Sequence, residues 1–235
     1  MADERVRHVS TPCHARHAVL EMDCMDDEDE ITLGDGSSSP LPWPSTDHSL
    51  TKPDGNWTLN SCIRGWSKDR ATSRIMGYRE AADVIFHRLV EDRSGRDTLV
   101  YPLVFLRRHA IELQLKNIID RGQIVLGTDA IYPKHHGLKE IWKMALQVIE
   151  ELQEEDNGEI KNITRVIDEL CALDPDSTGF RYHETKRGQP TLDAAPEYLH
   201  LGSINDALAG VSSYLDCVET VLEQAIDNIT DTGSV

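Results

Sequence analysis

Arg107, Arg108, His109, Glu112 and Lys116 lie within ten residues of one another, on a stretch whose other side chains are mostly apolar. Arg108, Glu112, Lys116 and Asp120 recur every four residues, so on a helix they share one arc, with His109 beside it. Glu112 followed by Lys116 has the orientation that favours an i,i+4 ion pair, and Arg108 reaches Glu112 from the preceding turn. Two chemistries fit this arc. The plainer one is a charge ladder that lets an apolar helix meet water or a neighbouring helix. In the sharper one, Glu112 fixes a histidine or an arginine for work on an anionic ligand.

Two further clusters could join such a site. His135-His136 offers imidazoles whose ordinary pKa suits a general base, although a doublet before Gly137 also fits an exposed loop. Phe180-Arg181-Tyr182-His183 combines a guanidinium fork, an aromatic ring and an imidazole, a set that grips phosphate or a base. Its plainer role is an anchor, with Phe180 and Tyr182 against the body and Arg181 paired to an acid. The candidate catalytic residues are therefore Arg108, His109, Glu112, Lys116, Arg181 and His183. Arg107, His135, His136 and Tyr182 are candidates for contact with a partner or RNA.

Other site chemistries find no support. The sequence has no P-loop, no G-x-G-x-x-G, no G-x-S-x-G, no H-E-x-x-H and no C-x-x-C. Cys13, His14, His17 and Cys24 are nitrogen and sulfur ligands, but their spacing fits no standard zinc module. Neither a metal nor a cofactor is expected.

The elements that must position these residues read as helices. Tyr101 to Asp120 is the central one, with Pro102 suited to its first turn and Gly122 just past its end. A helix from about Lys68 to Asp92 precedes it, capped by Ser67 and carrying Ile75, Ala82, Ile85 and Leu89 at helical spacing. Trp57 and Trp66 pin the segment before it. Gly137 to Glu155 follows as a strongly amphipathic helix, then Glu159 to Leu173, and finally Ser203 to Ile229, where Ser203 and Asp206 have capping-box spacing. Between the last two, Phe180–Thr185 and Gln189–Leu192 suggest a small hairpin. The expected fold is an all-α bundle of about five helices with a small β-like insertion, over residues 57–235. Residues 1–56 read as a disordered, acidic, Pro- and Ser-rich tail, with an acidic block at Asp26–Glu30 and few apolar positions that could form a core.

Charge limits the partners. The formal net charge is −17, unevenly distributed. Residues 1–56 hold 12 acids and 4 bases, residues 57–143 hold 10 acids and 15 bases, and residues 144–235 hold 19 acids and 5 bases. Only the middle third would welcome nucleic acid. Five scattered cysteines fit a reducing cytoplasm better than a disulfide framework, and neither a secretory leader nor a membrane-spanning run of 18 apolar residues is apparent.

The order of motifs is similar to that of the HEPN-like helical proteins of prokaryotes. The similarity runs through Tyr78-x-x-Ala81-Ala82, Tyr101-Pro102-x-x-Phe105-Leu106-Arg107-Arg108-His109-x-x-Glu112-Leu113-x-Leu115-Lys116, His136-x-Leu138 and Asp174 to Phe180-Arg181-Tyr182, and covers about residues 68–228. It implies a place in toxin–antitoxin, antiphage or stress systems. Many members are metal-independent ribonucleases that use an Arg-x(4–6)-His motif, usually paired across a dimer. Within residues 68–228 that spacing does not occur, and Arg79 to His87, with seven residues between, comes nearest. Any Arg/His pair here must be assembled in space. The resulting expectation is a cytoplasmic partner-binding module without efficient catalysis. Its partner is a protein (an operon neighbour or a second copy in a homodimer), RNA is a possible ligand, and no membrane is involved. The alternatives are an RNA endonuclease with a non-standard Arg/His site and an acidic, antitoxin-like inhibitor.

Overall fold

The computed structural model describes residue 50 and residues 61–63, 70–128, 136–152 and 158–232. The expectations for the tail, its possible zinc ligands, Trp57, Trp66, the Ser67 cap and His135 lie outside them. The helices belong to the unit that begins at Arg64. They are α1 (Arg70–Glu91), α2 (Arg96–Leu126), α3 (Leu138–Leu152), α4 (Glu159–Leu173) and α5 (Leu201–Thr232). Five helices were expected, and the described residues are all-helical apart from turns and irregular segments.

The central helix is longer than its sequence pattern suggests. Gly95, in the left-handed region at φ 76°, stands before α2, and Thr98 bonds back to the Gly95 carbonyl through both its N–H and its hydroxyl. α2 therefore starts five residues earlier than expected, and Pro102 lies in its second turn. At the other end Gly127, at φ 64°, forms the left-handed cap and donates its N–H to the Gln123 carbonyl. Gly122 has a different task. A Cβ there would meet Val148 Cγ1 at 2.4 Å and Cγ2 at 2.7 Å, so Gly122 is where the backbone of α2 approaches α3.

Pairs of contacting residues give the helix directions. Arg107, Gln114, Asn117 and Arg121 bond in order to Asn205, Ser212, Glu219 and Glu223, so α2 and α5 run parallel. Glu112 meets His136 just before α3, and Gly122 meets Val148 within it, so α3 also runs with α2. Trp142 meets Thr164 and Lys139 meets Asp168, which makes α4 antiparallel to α3. Asp83 and Tyr78 of α1 meet Arg107 and His109, so α1 is antiparallel to α2.

α2 sits at the centre of this arrangement. Ile111, Leu115, Ile118 and Ile119 join Leu138, Ile141 and Ile149 of α3, Ile167 and Leu170 of α4, and Leu208, Leu215 and Leu222 of α5 in one core cluster. Burying each such side chain is worth about 1.5–3 kcal/mol relative to exposure. A second cluster, Ala82 and Leu89 with Leu103, fastens α1 to the first half of α2.

Two local expectations need correction. Phe180–Leu192 is not a stranded hairpin. It holds one isolated antiparallel bridge, Glu184 to Pro190, around a turn closed by the Thr185 N–H on the Gln189 carbonyl. Pro190, at the bridge, has no N–H to donate to a ladder. The capping role assigned to Ser203 belongs to His200, whose Nδ1 accepts the Ser203 N–H while its carbonyl accepts the Ile204 N–H. α5 accordingly begins at Leu201.

Candidate functional site

The arc on α2 divides between interior and surface. Arg108 and Glu112 are each 1% exposed, whereas His109 and Lys116 are half-buried. Glu112 receives Lys116 Nζ and His136 Nδ1, both at 2.7 Å from Oε1. Arg108 Nη1 stands 3.8 Å from Glu112 Oε2 and Arg108 Nε stands 3.7 Å from Asp174 Oδ2, distances of ionic attraction rather than hydrogen bonds. The guanidinium's hydrogen bonds go instead to the turn after α4: Nη1 donates to Ser177 Oγ at 2.8 Å and Nη2 to the Asp174 carbonyl at 3.3 Å.

Ser177 is the hinge of that turn. It is buried and non-glycine, yet it adopts φ 58°, a costly left-handed conformation. Two arginines hold it there. Its hydroxyl accepts from Arg108, and its carbonyl accepts Arg181 Nε at 2.9 Å and Nη2 at 2.6 Å. Asp174 Oδ1 closes the same turn by accepting the Thr178 and Gly179 N–H groups. The end of α4, the segment before α3 and the first half of α2 thus meet around Arg108 and Glu112.

The electrostatics follow from this burial. Desolvation pulls the Arg108 pKa down, against the pull of Asp174 and Glu112. Burial pushes Glu112 up, but the bonds and charges of Lys116 and His136 outweigh it and leave Glu112 below its ordinary value. For His109, burial lowers the pKa, Glu112 opposes, and His136, Lys116 and Arg181 add to the lowering. His109 is therefore a neutral imidazole at pH 7. It stacks on Phe105 at 5.6 Å and meets Tyr78 edge-on at 4.6 Å. Arg181 lies over the rings of both Phe105 and Tyr182, 5.5 and 5.3 Å from their centres.

The structure brings Arg108, His109, Glu112, Lys116, His136 and Arg181 together. It separates the others. Arg107 is 2% exposed, with Nη2 on Asp83 and Nε and Nη2 on Asn205, and it ties α1, α2 and α5 together where no partner reaches it. His183 is on the surface, with Glu184 Oε1 at 3.9 Å. Tyr182 is 57% exposed. Asp174 and Ser177 were missed as members of the group. A Pro-Asp-Ser-Thr turn marks a helix end in sequence, and nothing in it tells that an arginine 66 residues upstream will bond there. Arg7 and His14 have the spacing of the ribonuclease motif, with six residues between them, but lie outside both the described residues and the stretch of resemblance.

Among the described residues no group of three or more His, Cys, Asp or Glu side chains could hold a metal ion, and no helix is long and apolar enough to cross a membrane. Comparisons with family models, curated proteins and solved structures returned no match.

Proposed function

We propose that this chain is a HEPN-like helical module that binds a protein partner and lacks efficient catalysis of its own. The observation that carries this reading is the burial of Arg108 at 1% exposure, with Nη1 bonded to Ser177, Nη2 to the Asp174 carbonyl, and Nε without a hydrogen bond, 3.7 Å from Asp174 Oδ2. A guanidinium that stabilises a transition state must reach the charge that develops there. Arg108 reaches a strained turn instead, and Glu112, shared by Lys116 and His136, steadies the same region. The cytoplasmic setting in prokaryotic defence or stress, and a partner that is a second copy or an operon neighbour, follow from the motif resemblance.

One observation favours a second reading, a metal-independent ribonuclease. His109 is neutral, and both it and Arg181 touch Phe105. In that reaction His109 would take the 2′-OH proton as the 2′-oxygen bonds to phosphorus, Arg181 would stabilise the charge on the phosphorane oxygens, and the 5′-oxygen would leave as the P–O5′ bond breaks, taking a proton from water. Incubating structured and single-stranded RNA with the full-length protein in EDTA separates the two. The binding module leaves both RNAs intact. Cleavage that survives EDTA and disappears in His109→Ala, Arg181→Ala or His183→Ala overturns it in favour of the ribonuclease.

A further inference from the structure

In a chain of net charge −17, most cations of the described helices have carboxylates to meet. Arg79 holds Asp216, Arg88 holds Asp92, Arg121 holds Glu223 and Arg165 holds Glu169. The 181–187 loop departs from this habit. Among the described residues, Arg181, Lys186 and Arg187 make no ion pair, and the loop's acid, Glu184, lies beside His183.

These three cations are presented on an ordered frame. Arg181 is fixed by two bonds to the Ser177 carbonyl and by the rings of Phe105 and Tyr182. Lys186 and Arg187 occupy the tip of a turn in which the Thr185 hydroxyl accepts the N–H groups of Arg187 and Gln189. Gly188, at φ 69°, completes the turn by donating to the Thr185 carbonyl, and the Thr191 N–H bonds to the His183 carbonyl below it. Little of the loop's conformational entropy remains to be lost on binding, the condition under which charge complementarity becomes affinity. Beside the cations, Tyr182 offers an exposed ring.

We propose that the 181–187 loop is the docking site for an acidic segment of a partner protein. Two or three carboxylates meet Arg181, Lys186 and Arg187, and a neighbouring aromatic side chain rests on Tyr182. This rests on the binding-module reading and names the partner's chemistry. A protein segment fits better than RNA. Its carboxylates can be spaced by neutral residues to match three cations and to skip Glu184, whereas a phosphate at every nucleotide would meet Glu184 and the surplus of acids over residues 144–235.

The test uses the full-length protein and a fluorescein-labelled Gly-Glu-Trp-Glu-Asp-Gly peptide, titrated by anisotropy in low salt. Saturable binding is expected. It should weaken at least about tenfold in Lys186→Glu/Arg187→Glu and in Arg181→Gln, the former at an unchanged melting temperature, because a charge reversed at a contact affects affinity directly. Absence of saturable binding, affinity unchanged in the double variant, or displacement of the peptide by an equally charged oligouridine at equal or lower concentration would overturn the proposal. Peptide failure with RNA left intact rejects this site alone. RNA cleavage rejects the binding-module reading whatever the peptide does.

Discussion

A histidine held neutral by its surroundings carries a pH signature. Burial lowers the His109 pKa, so below the ordinary imidazole value near 6.5 the unfolded chain takes up a proton that the folded one resists. Its contribution to stability is complete above that value and falls as pH drops towards the folded value. Glu112 acts in the same direction at lower pH, since its depressed carboxyl stabilises above the ordinary glutamate range and ceases to do so as it protonates. Asp120 and Glu219, both raised by burial, act oppositely in the carboxylate range. The imidazole window is therefore the clean one. In thermal unfolding between about pH 7.5 and 5.5 the wild type should lose melting temperature, and His109→Phe, which keeps an aromatic ring between Tyr78 and Phe105, should lose distinctly less. Equal losses would mean that His109 is solvated.

Between α2 and α3 the spacing depends on one missing side chain. Gly122→Ala would place a Cβ 2.4 Å from Val148 Cγ1, a clash against a packed side chain of α3. Overpacking of this kind costs about 1–3 kcal/mol, measurable by urea unfolding. Val148→Ala in the same chain should return part of that loss, because it removes the atoms that clash. Strictly additive losses would show that the helices are not held at this approach. Helix existence was legible in sequence because the apolar spacing of α3 and α4 is unambiguous, and α4 occupies the expected residues. The ends were less legible. Gly95 and Gly127 both cap α2, while Gly122, which looks like a cap, is a contact. Sequence does not distinguish a glycine chosen for its dihedral angles from one chosen for the room it leaves. Of the site, the Arg108–Glu112–Lys116 ladder was readable from an apolar helix carrying charges four apart, but the full burial of Arg108 and Glu112 was not. The partners Asp174, Ser177 and His136 come from segments that only the tertiary fold brings near.

At the scale of the described helices, α2 buries Arg107, Arg108 and Glu112 and ties neighbouring segments together with them. Three segments distant in sequence, the lead into α3, the turn after α4 and α2 itself, meet on Arg108 and Glu112. Buried ions are poor sources of net stability when compared with apolar replacements, yet removing one member leaves the others uncompensated. The most direct measurement is a double-mutant cycle in denaturant unfolding with Arg108→Ala, Glu112→Ala and both together. Each single variant should lose more than about 2 kcal/mol, and the double should lose at least about 1 kcal/mol less than the two losses added. Single losses within about 0.5 kcal/mol of wild type, the range of ordinary surface substitutions, would contradict a lock built from α2's own charges.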